Sequence, residues 1–201
     1  MKRAIPFVAL SFMLVLSMAV KIHGTPQGTD DTFDSGDLNK IRIGYEINPV
    51  PLNLRGKSVL LVGLGSYIVN GQADCAGCHS TPTYEPGGDP HLGEPEMIST
   101  ETFLSGGGDL FGPFVPRNLT PNGQGLPGNL TLEQFLEVFE RGTDFEAGNM
   151  GNVPLPSPDN DLLQVMPWPV FRNMTQLEKR AIYEYLRSIP CIGSPNRCTP
   201  S

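Results

Sequence analysis

Basic residues are scarce in this chain of 201 residues, which has 14 Lys and Arg against 21 Asp and Glu. Beyond Gly24 the deficit is sharper, because all 21 acidic but only 11 of the 14 basic residues remain and the formal charge becomes −10. This excess of negative charge argues against nucleic acid or anionic lipid as a partner and favours a protein partner with a basic docking surface. The same acidity also serves simply to keep a protein soluble.

Cysteine is limited to two widely separated pairs, Cys75 with Cys78 and Cys191 with Cys198. A zinc site would need a second ligand pair near the first, and the distant Cys191 and Cys198 are spaced wrongly for it. That second pair lies in a short tail rich in Gly, Pro and Asn, where an oxidising compartment favours a disulfide. Closing so small a loop is expected to stabilise the fold by about 2 kcal/mol.

Sustained hydrophobic periodicity is also limited, since 23 Gly and 20 Pro predict a large share of loop. The length allows one ordinary domain with extensions. An apolar run over residues 58–69 is long enough to favour a buried helix over a strand, and Gly63 and Gly65 within it would let another helix pass closely.

Two further helices carry clear start signals. Thr131 and Thr175 each open a capping box, and the helices that follow are expected to end near Gly142 and Pro190. Between these helices the chain is irregular, and the apolar residues of the Gly-rich segment 80–130 are expected to pack on another surface, for which a cofactor face is the candidate. These residues are Phe103, Leu104, Leu110, Phe111, Phe114 and Val115.

The N-terminus has the pattern of an export signal. Lys2 and Arg3 precede an uncharged apolar run from Ala4 to Val20, so residues 1–24 are predicted to be a signal peptide removed near Gly24. An uncleaved membrane anchor is the alternative, because the run is close to the length that spans a bilayer. Residues 25–57 are polar without a sustained period, and are predicted to be an arm on the domain or, in their first part, a disordered segment.

The sequence Cys75-Ala76-Gly77-Cys78-His79 matches the attachment signature of c-type haem. Two thiols at this spacing on a helical turn can reach both vinyl groups of one porphyrin, and the following histidine is placed to bind the iron. A thioredoxin-like redox pair is the main alternative, but the expected βαβ surroundings are missing. Thr199 follows Cys198, so the tail does not repeat the signature. The prediction is one covalently bound haem c held by Cys75, Cys78 and His79.

A second axial ligand is then needed, and methionine is the usual choice for an electron carrier. Met166 is favoured because Pro167-Trp168-Pro169 stiffens the loop that carries it. Second-choice ligands remain open: His91, Met97, Met150 and Met174. Trp168, the only tryptophan, is expected either to satisfy its indole N–H at a haem propionate or to donate to a backbone carbonyl in the core.

Several landmarks together resemble the class I cytochrome c family, in particular the single-haem domains that accompany periplasmic dehydrogenases of bacteria. They are Gly65-Ser66-Tyr67 through His79, Gly107-Gly108, Arg117-Asn118-Leu119-Thr120-Pro121, Met166-Pro167-Trp168, and Tyr183 through Pro190. The resemblance covers residues 58–190. It implies an all-α cytochrome c fold in which the first and last helices cross, with His79 and Met166 on opposite faces of the haem. The arm, the long Gly-rich loop and the tail 191–201 depart from the pattern.

Three functions fit this pattern. The first is a periplasmic carrier of single electrons between a dehydrogenase and a terminal oxidase or quinone-linked complex. The second is a haem enzyme or gas sensor in which the distal methionine is labile, although the stretch around Met166 offers no distal acid or base. The third is an anchoring subunit whose haem passes electrons only within a complex.

Overall fold

The computed structural model describes residues 31–108, 114–145 and 162–200. The chain divides into two units, Met1–Asp31 and Thr32–Ser201. The predicted signal peptide 1–24, Leu110, Phe111 and Met150 lie outside the described residues. Within the described part of Thr32–Ser201 the regular structure is helical, and the only bridges between extended segments are isolated ones, such as that of Tyr84 with Ile98. The prediction of an all-α class is confirmed.

Seven α-helices are present in these residues. They are α1 (Ser35–Ile47), α2 (Val59–Tyr67), α3 (Cys75–His79), α4 (Leu132–Arg141), α5 (Trp168–Phe171), α6 (Gln176–Leu186) and α7 (Pro195–Cys198). A π-helical turn, Ile68–Gln72, continues α2, and a 3-10 turn, Pro90–Leu92, lies in the Gly-rich segment. None of the helices within the described residues is long and apolar enough to cross a membrane.

The predicted helix starts are confirmed. Thr131 accepts a hydrogen bond from the backbone N–H of Gln134, and Thr175 accepts one from that of Glu178, so both capping boxes form. Gly142 ends α4 in the left-handed conformation, at φ 73°, which favours glycine. Helix α6 ends at Leu186, about a turn before the predicted Pro190. After Arg187, the Ser188 backbone N–H donates to the Tyr185 carbonyl three residues back instead of continuing the α-helical pattern.

Close contact between α2 and α6 organises the core, as the glycines of α2 predict. A Cβ atom on Gly65 would lie 1.9 Å from the Ala181 carbonyl oxygen and 2.7 Å from Tyr185 Cβ. Only glycine therefore allows this approach of the two backbones. Around it lie the fully buried side chains of Leu64, Ile68, Tyr185 and Leu186.

Helix α1 differs from the sequence-based expectation of an arm without periodic structure. Asp34 and Asp37 form a capping box that starts it, and Gly44 packs against the carbonyl of Gly63 so closely that a Cβ would lie 2.0 Å from that oxygen. Gly63 thus serves the α1 contact, while Gly65 serves the α6 contact. The pattern is hard to recognise because Ile41 and Gly44 are the only buried residues of α1, and Leu38 is exposed.

A buried polar network joins the three packed helices. Ser66 Oγ donates to the Gly44 carbonyl at 2.7 Å, and Asn70 Nδ2 donates to Ser66 Oγ at 3.0 Å and to Tyr185 Oη at 3.1 Å. The Tyr185 hydroxyl donates in turn to Asn48 Oδ1 at 2.9 Å, and burial raises the pKa of Tyr185. Each of these polar groups has a partner, which is the condition for burying it without a large cost.

Gly65→Ala is expected to lower the unfolding free energy by about 2 kcal/mol or more, because the added methyl group meets backbone rather than a mobile side chain. The guanidinium chloride midpoint of the purified chain measures the effect. Gly71→Ala is the matched control, since its Cβ would meet side chains rather than backbone, the end of Ile47 at 3.1 Å and the ring of Tyr67 at 3.8 Å. Equal midpoints for the two variants would contradict the proposed contact.

Candidate haem site

The motif residues lie on α3, a single helical turn. Asp74 caps it in the left-handed conformation, at φ 45°, and its Oδ1 accepts a hydrogen bond from the Gly77 backbone N–H at 3.2 Å. Aspartate is one of the few residues that tolerates this conformation. On this turn Cys75 is half-buried and Cys78 is exposed. The predicted helical turn for the motif is confirmed.

His79 is held by a single backbone acceptor. Its Nδ1 lies 2.8 Å from the Arg117 carbonyl oxygen, so Nδ1 carries the proton and donates it, and Nε2 is left with its lone pair. Burial lowers the pKa of His79, and the hydrogen bond to Arg117 opposes this shift in part. A neutral imidazole with Nδ1–H fixed by a carbonyl is the usual form of a metal-binding histidine.

A cavity of about 280 Å³ brings the predicted site residues together. Cys75, Cys78, His79 and Met166 all line it, although more than eighty residues separate the motif from Met166. Its wall is mainly apolar. The aromatic part of that wall includes Phe114, Phe135, Phe139, Phe145 and Phe171, and the aliphatic part includes Val69, Leu119, Leu130, Val138, Leu163, Ile182 and Leu186.

Helix α4 supplies a cluster of contacting aromatic rings to this wall. Phe135 and Phe139 are one turn apart with ring centroids 4.7 Å from each other, and Phe139 stacks on Phe171 at 5.8 Å. The ring of Phe135 also contacts Tyr183, at 5.2 Å. Such a fixed aromatic surface suits a large flat apolar ligand better than a small polar one.

Of the alternative axial ligands that lie within the described residues, only Met174 also lines the cavity. His91 lies on the 3-10 turn with its ring edge toward Tyr84, and Met97 is 44% exposed; neither belongs to the cavity wall. Met166 lies in a bend directly before the short helix α5 and is half-buried against the core. The helix α5 within this stretch was not predicted.

Trp168 does not line the cavity. Its Nε1 donates to the Leu163 carbonyl at 3.3 Å, and its ring packs against Gly142, where a Cβ would lie 2.3 Å from Trp168 Cε2. Of the two predicted partners, the structure shows the backbone carbonyl.

Sequence reasoning missed an ion pair in the cavity wall. Arg117 Nη2 lies 2.6 Å and 2.7 Å from the two carboxylate oxygens of Asp144, and both side chains are largely buried. The motif Arg117-Asn118-Leu119-Thr120-Pro121 is the signal that could have located the arginine. The order of residues shows neither that the Arg117 side chain pairs with Asp144 nor that the Arg117 carbonyl accepts a hydrogen bond from His79.

The described apolar residues of the Gly-rich segment divide between the core and the cavity wall. Phe103 and Leu104 are buried in the core, and Phe114 and Val115 line the cavity. The predicted disulfide between Cys191 and Cys198 is present, with an S–S distance of 2.00 Å. No group of three His, Cys, Asp or Glu side chains that could hold a metal ion occurs among residues 31–108, 114–145 and 162–200.

Comparisons with protein-family models, curated proteins and solved structures find no match for this chain.

The two motif thiols are expected to differ in reactivity when the cofactor-free chain is treated with iodoacetamide. Burial, followed by the charge of Asp74, raises the pKa of Cys75 to about 12, so its thiolate stays rare at pH 8. Cys78 is exposed and should be alkylated first, as mass spectrometry of a digest would show. In urea both should react alike. Equal rates in the folded chain would contradict the burial of Cys75.

Proposed function

We propose that this chain is an exported mono-haem c-type cytochrome that carries single electrons. The observation that supports it most is the cavity that gathers Cys75, Cys78, His79 and Met166 in one mainly apolar wall. In the proposed complex, the two cysteines would hold the porphyrin through thioether bonds, and His79 and Met166 would bind its iron. The cytochrome c fold implied by the sequence resemblance is part of the same proposal.

The residues present fit this cofactor. A porphyrin supplies four nitrogen ligands, so two protein ligands complete the coordination, and His79 has its Nε2 available because Nδ1 is occupied by the Arg117 carbonyl. The aromatic wall from α4 and α5 offers apolar contact to the ring. When bound, haem c takes up and releases one electron by cycling between ferrous and ferric iron.

The chain's own residues would tune and protect this exchange. The Arg117 carbonyl fixes the imidazole tautomer and increases its basicity, which favours ferric iron, while a thioether from Met166 favours ferrous iron. Phe135, Phe139 and Phe171 give the cavity an apolar wall that would limit the access of water to the cofactor. The exposed position of Cys78 places one attachment point at the protein surface, where a redox partner can approach.

The location and partners follow from the same proposal. Covalent attachment of haem and the Cys191–Cys198 disulfide both suit an oxidising compartment outside the cytoplasm, in agreement with the predicted export signal and a periplasmic location. The partners would be a dehydrogenase as donor and a terminal oxidase or quinone-linked complex as acceptor. The alternative, a haem enzyme or sensor, requires that Met166 leave the iron readily.

Met166→Ala is expected to leave the haem attached, abolish the weak red absorption band of an iron–sulfur bond and lower the midpoint potential, because the soft sulfur ligand that favours ferrous iron is lost. Met174→Ala is the matched control, since this residue lines the same cavity. Loss of the band in the control but not in Met166→Ala would assign the sixth ligand to Met174. Carbon monoxide binding by the wild-type ferrous protein would favour the sensor or enzyme.

Replacing both Cys75 and Cys78 with Ala is expected to release haem when the protein is denatured, because no thioether would remain. Haem staining of a denaturing gel measures this. Replacing Cys191 and Cys198 with Ala is the control and should leave the stain intact. Covalent haem in the Cys75 and Cys78 variant would refute the proposed attachment site.

A further inference from the structure

The C-terminal tail is closed by the disulfide between Cys191 and Cys198, whose Cα atoms are 5.6 Å apart. The bridge brings Ile192, near its first cysteine, and Arg197, next to its second, to the same side of the protein. Both residues contact the segment 118–129, which follows directly on Arg117. The tail is therefore attached to the part of the chain that carries the hydrogen-bond acceptor of His79.

At the first contact, the Asn118 side chain donates from Nδ2 to the Ile192 carbonyl at 2.8 Å. The hydroxyl of Thr120, which is fully buried, accepts from the Ile192 backbone N–H at 3.1 Å and donates to Asn118 Oδ1 at 2.6 Å. Asn118 is thus fixed from both ends of its amide.

At the second contact, Arg197 binds the same segment through several donors. Its Nη2 donates to the Thr120 carbonyl at 2.6 Å, and its Nη1 donates to Asn129 Oδ1 at 3.0 Å. The Arg197 carbonyl accepts from the Gly123 N–H at 2.7 Å. Gly123 lies so close to the tail that a Cβ on it would be 2.0 Å from the Thr199 carbonyl oxygen.

The opposite side of the Arg117–Asn118 peptide is packed just as closely. A Cβ on Gly106 would lie 2.7 Å from both Arg117 C and Asn118 N, and Leu119 N–H donates to the Leu104 carbonyl at 2.8 Å. The peptide that presents its carbonyl to His79 is therefore held between the Gly-rich segment and the tail. A shift of the tail would remove the hydrogen bonds that hold Asn118 on the tail side of this peptide.

We propose that the disulfide-closed tail is a clasp that positions the Arg117 carbonyl and thereby sets the orientation and basicity of the His79 imidazole. Arg197 and Asn118 are positioning residues in this arrangement: they touch neither His79 nor the cavity centre, and act through the backbone of Arg117. The inference rests on the proposed function, because the oriented imidazole matters for the iron that it binds.

The test uses the full-length, exported, haem-containing protein. Its disulfide is reduced with a phosphine and the freed thiols are alkylated, which leaves thioether bonds intact, and Arg197→Ala is prepared as a second way to open the clasp. Both are expected to keep the haem but to shift the equilibrium between ferric and ferrous iron toward ferrous by on the order of tenfold. For one electron this corresponds to a rise of about 59 mV in midpoint potential. The proton resonance of His79 Nδ1–H should move and exchange faster with solvent.

Arg42→Ala is the matched control, because Arg42 forms an exposed ion pair with Glu46 on α1, away from the tail. It should leave the potential and the His79 resonance unchanged. The clasp would be overturned if the reduced and alkylated protein had the same midpoint potential and the same His79 resonance as the untreated protein. This comparison remains possible even if Arg197→Ala fails to accumulate. Absence of covalent haem from the wild-type protein would instead overturn the proposed function.

Discussion

The backbone contact between Gly65 and Ala181 is the constraint on which the rest of the structure depends. It joins a helix that leads into the Cys-x-x-Cys-His turn to a helix that leads into the disulfide-closed tail. The Ser66, Asn70 and Tyr185 network then ties α1 to the same pair. Only glycine permits this approach of the two backbones. The placement of the motif turn after α2 relative to the tail after α6 therefore depends on the absence of a side chain at residue 65.

The candidate site is built from segments that are distant in the sequence and have different mechanical properties. The motif turn is short and anchored by Asp74, whereas Met166 is carried by a bend directly before Pro167. The loop that begins at Arg117 connects them: its carbonyl holds His79, and its guanidinium pairs with Asp144 in the cavity wall. Irregular backbone can serve this purpose because it is fixed by the core on one side and by the tail on the other.

Local signals in the sequence identified much of this arrangement. The capping boxes at Thr131 and Thr175, the glycines of α2 and the pairing of Cys191 with Cys198 depend on neighbouring residues, so they could be recognised without a structure. The helix α1 was missed because it buries only a narrow face. Arg117–Asp144 and the tail contacts to Asn118 were also missed, because they join residues that only the tertiary fold brings together.

The π-helical turn at Ile68–Gln72 has a consequence for how such a chain can evolve. Its Ala73 N–H bonds to the Ile68 carbonyl at 2.8 Å, five residues back, so the turn holds one residue more than an α-helix would. In a continuous α-helix one inserted residue would rotate everything downstream by about 100°, whereas the wide turn absorbs it. The face of α2 that packs on α6 and the direction in which Cys75 and Cys78 point are therefore both kept, and deletion of one amino acid here is expected to convert the wide turn into an α-helical one without turning the two cysteines away from their cavity.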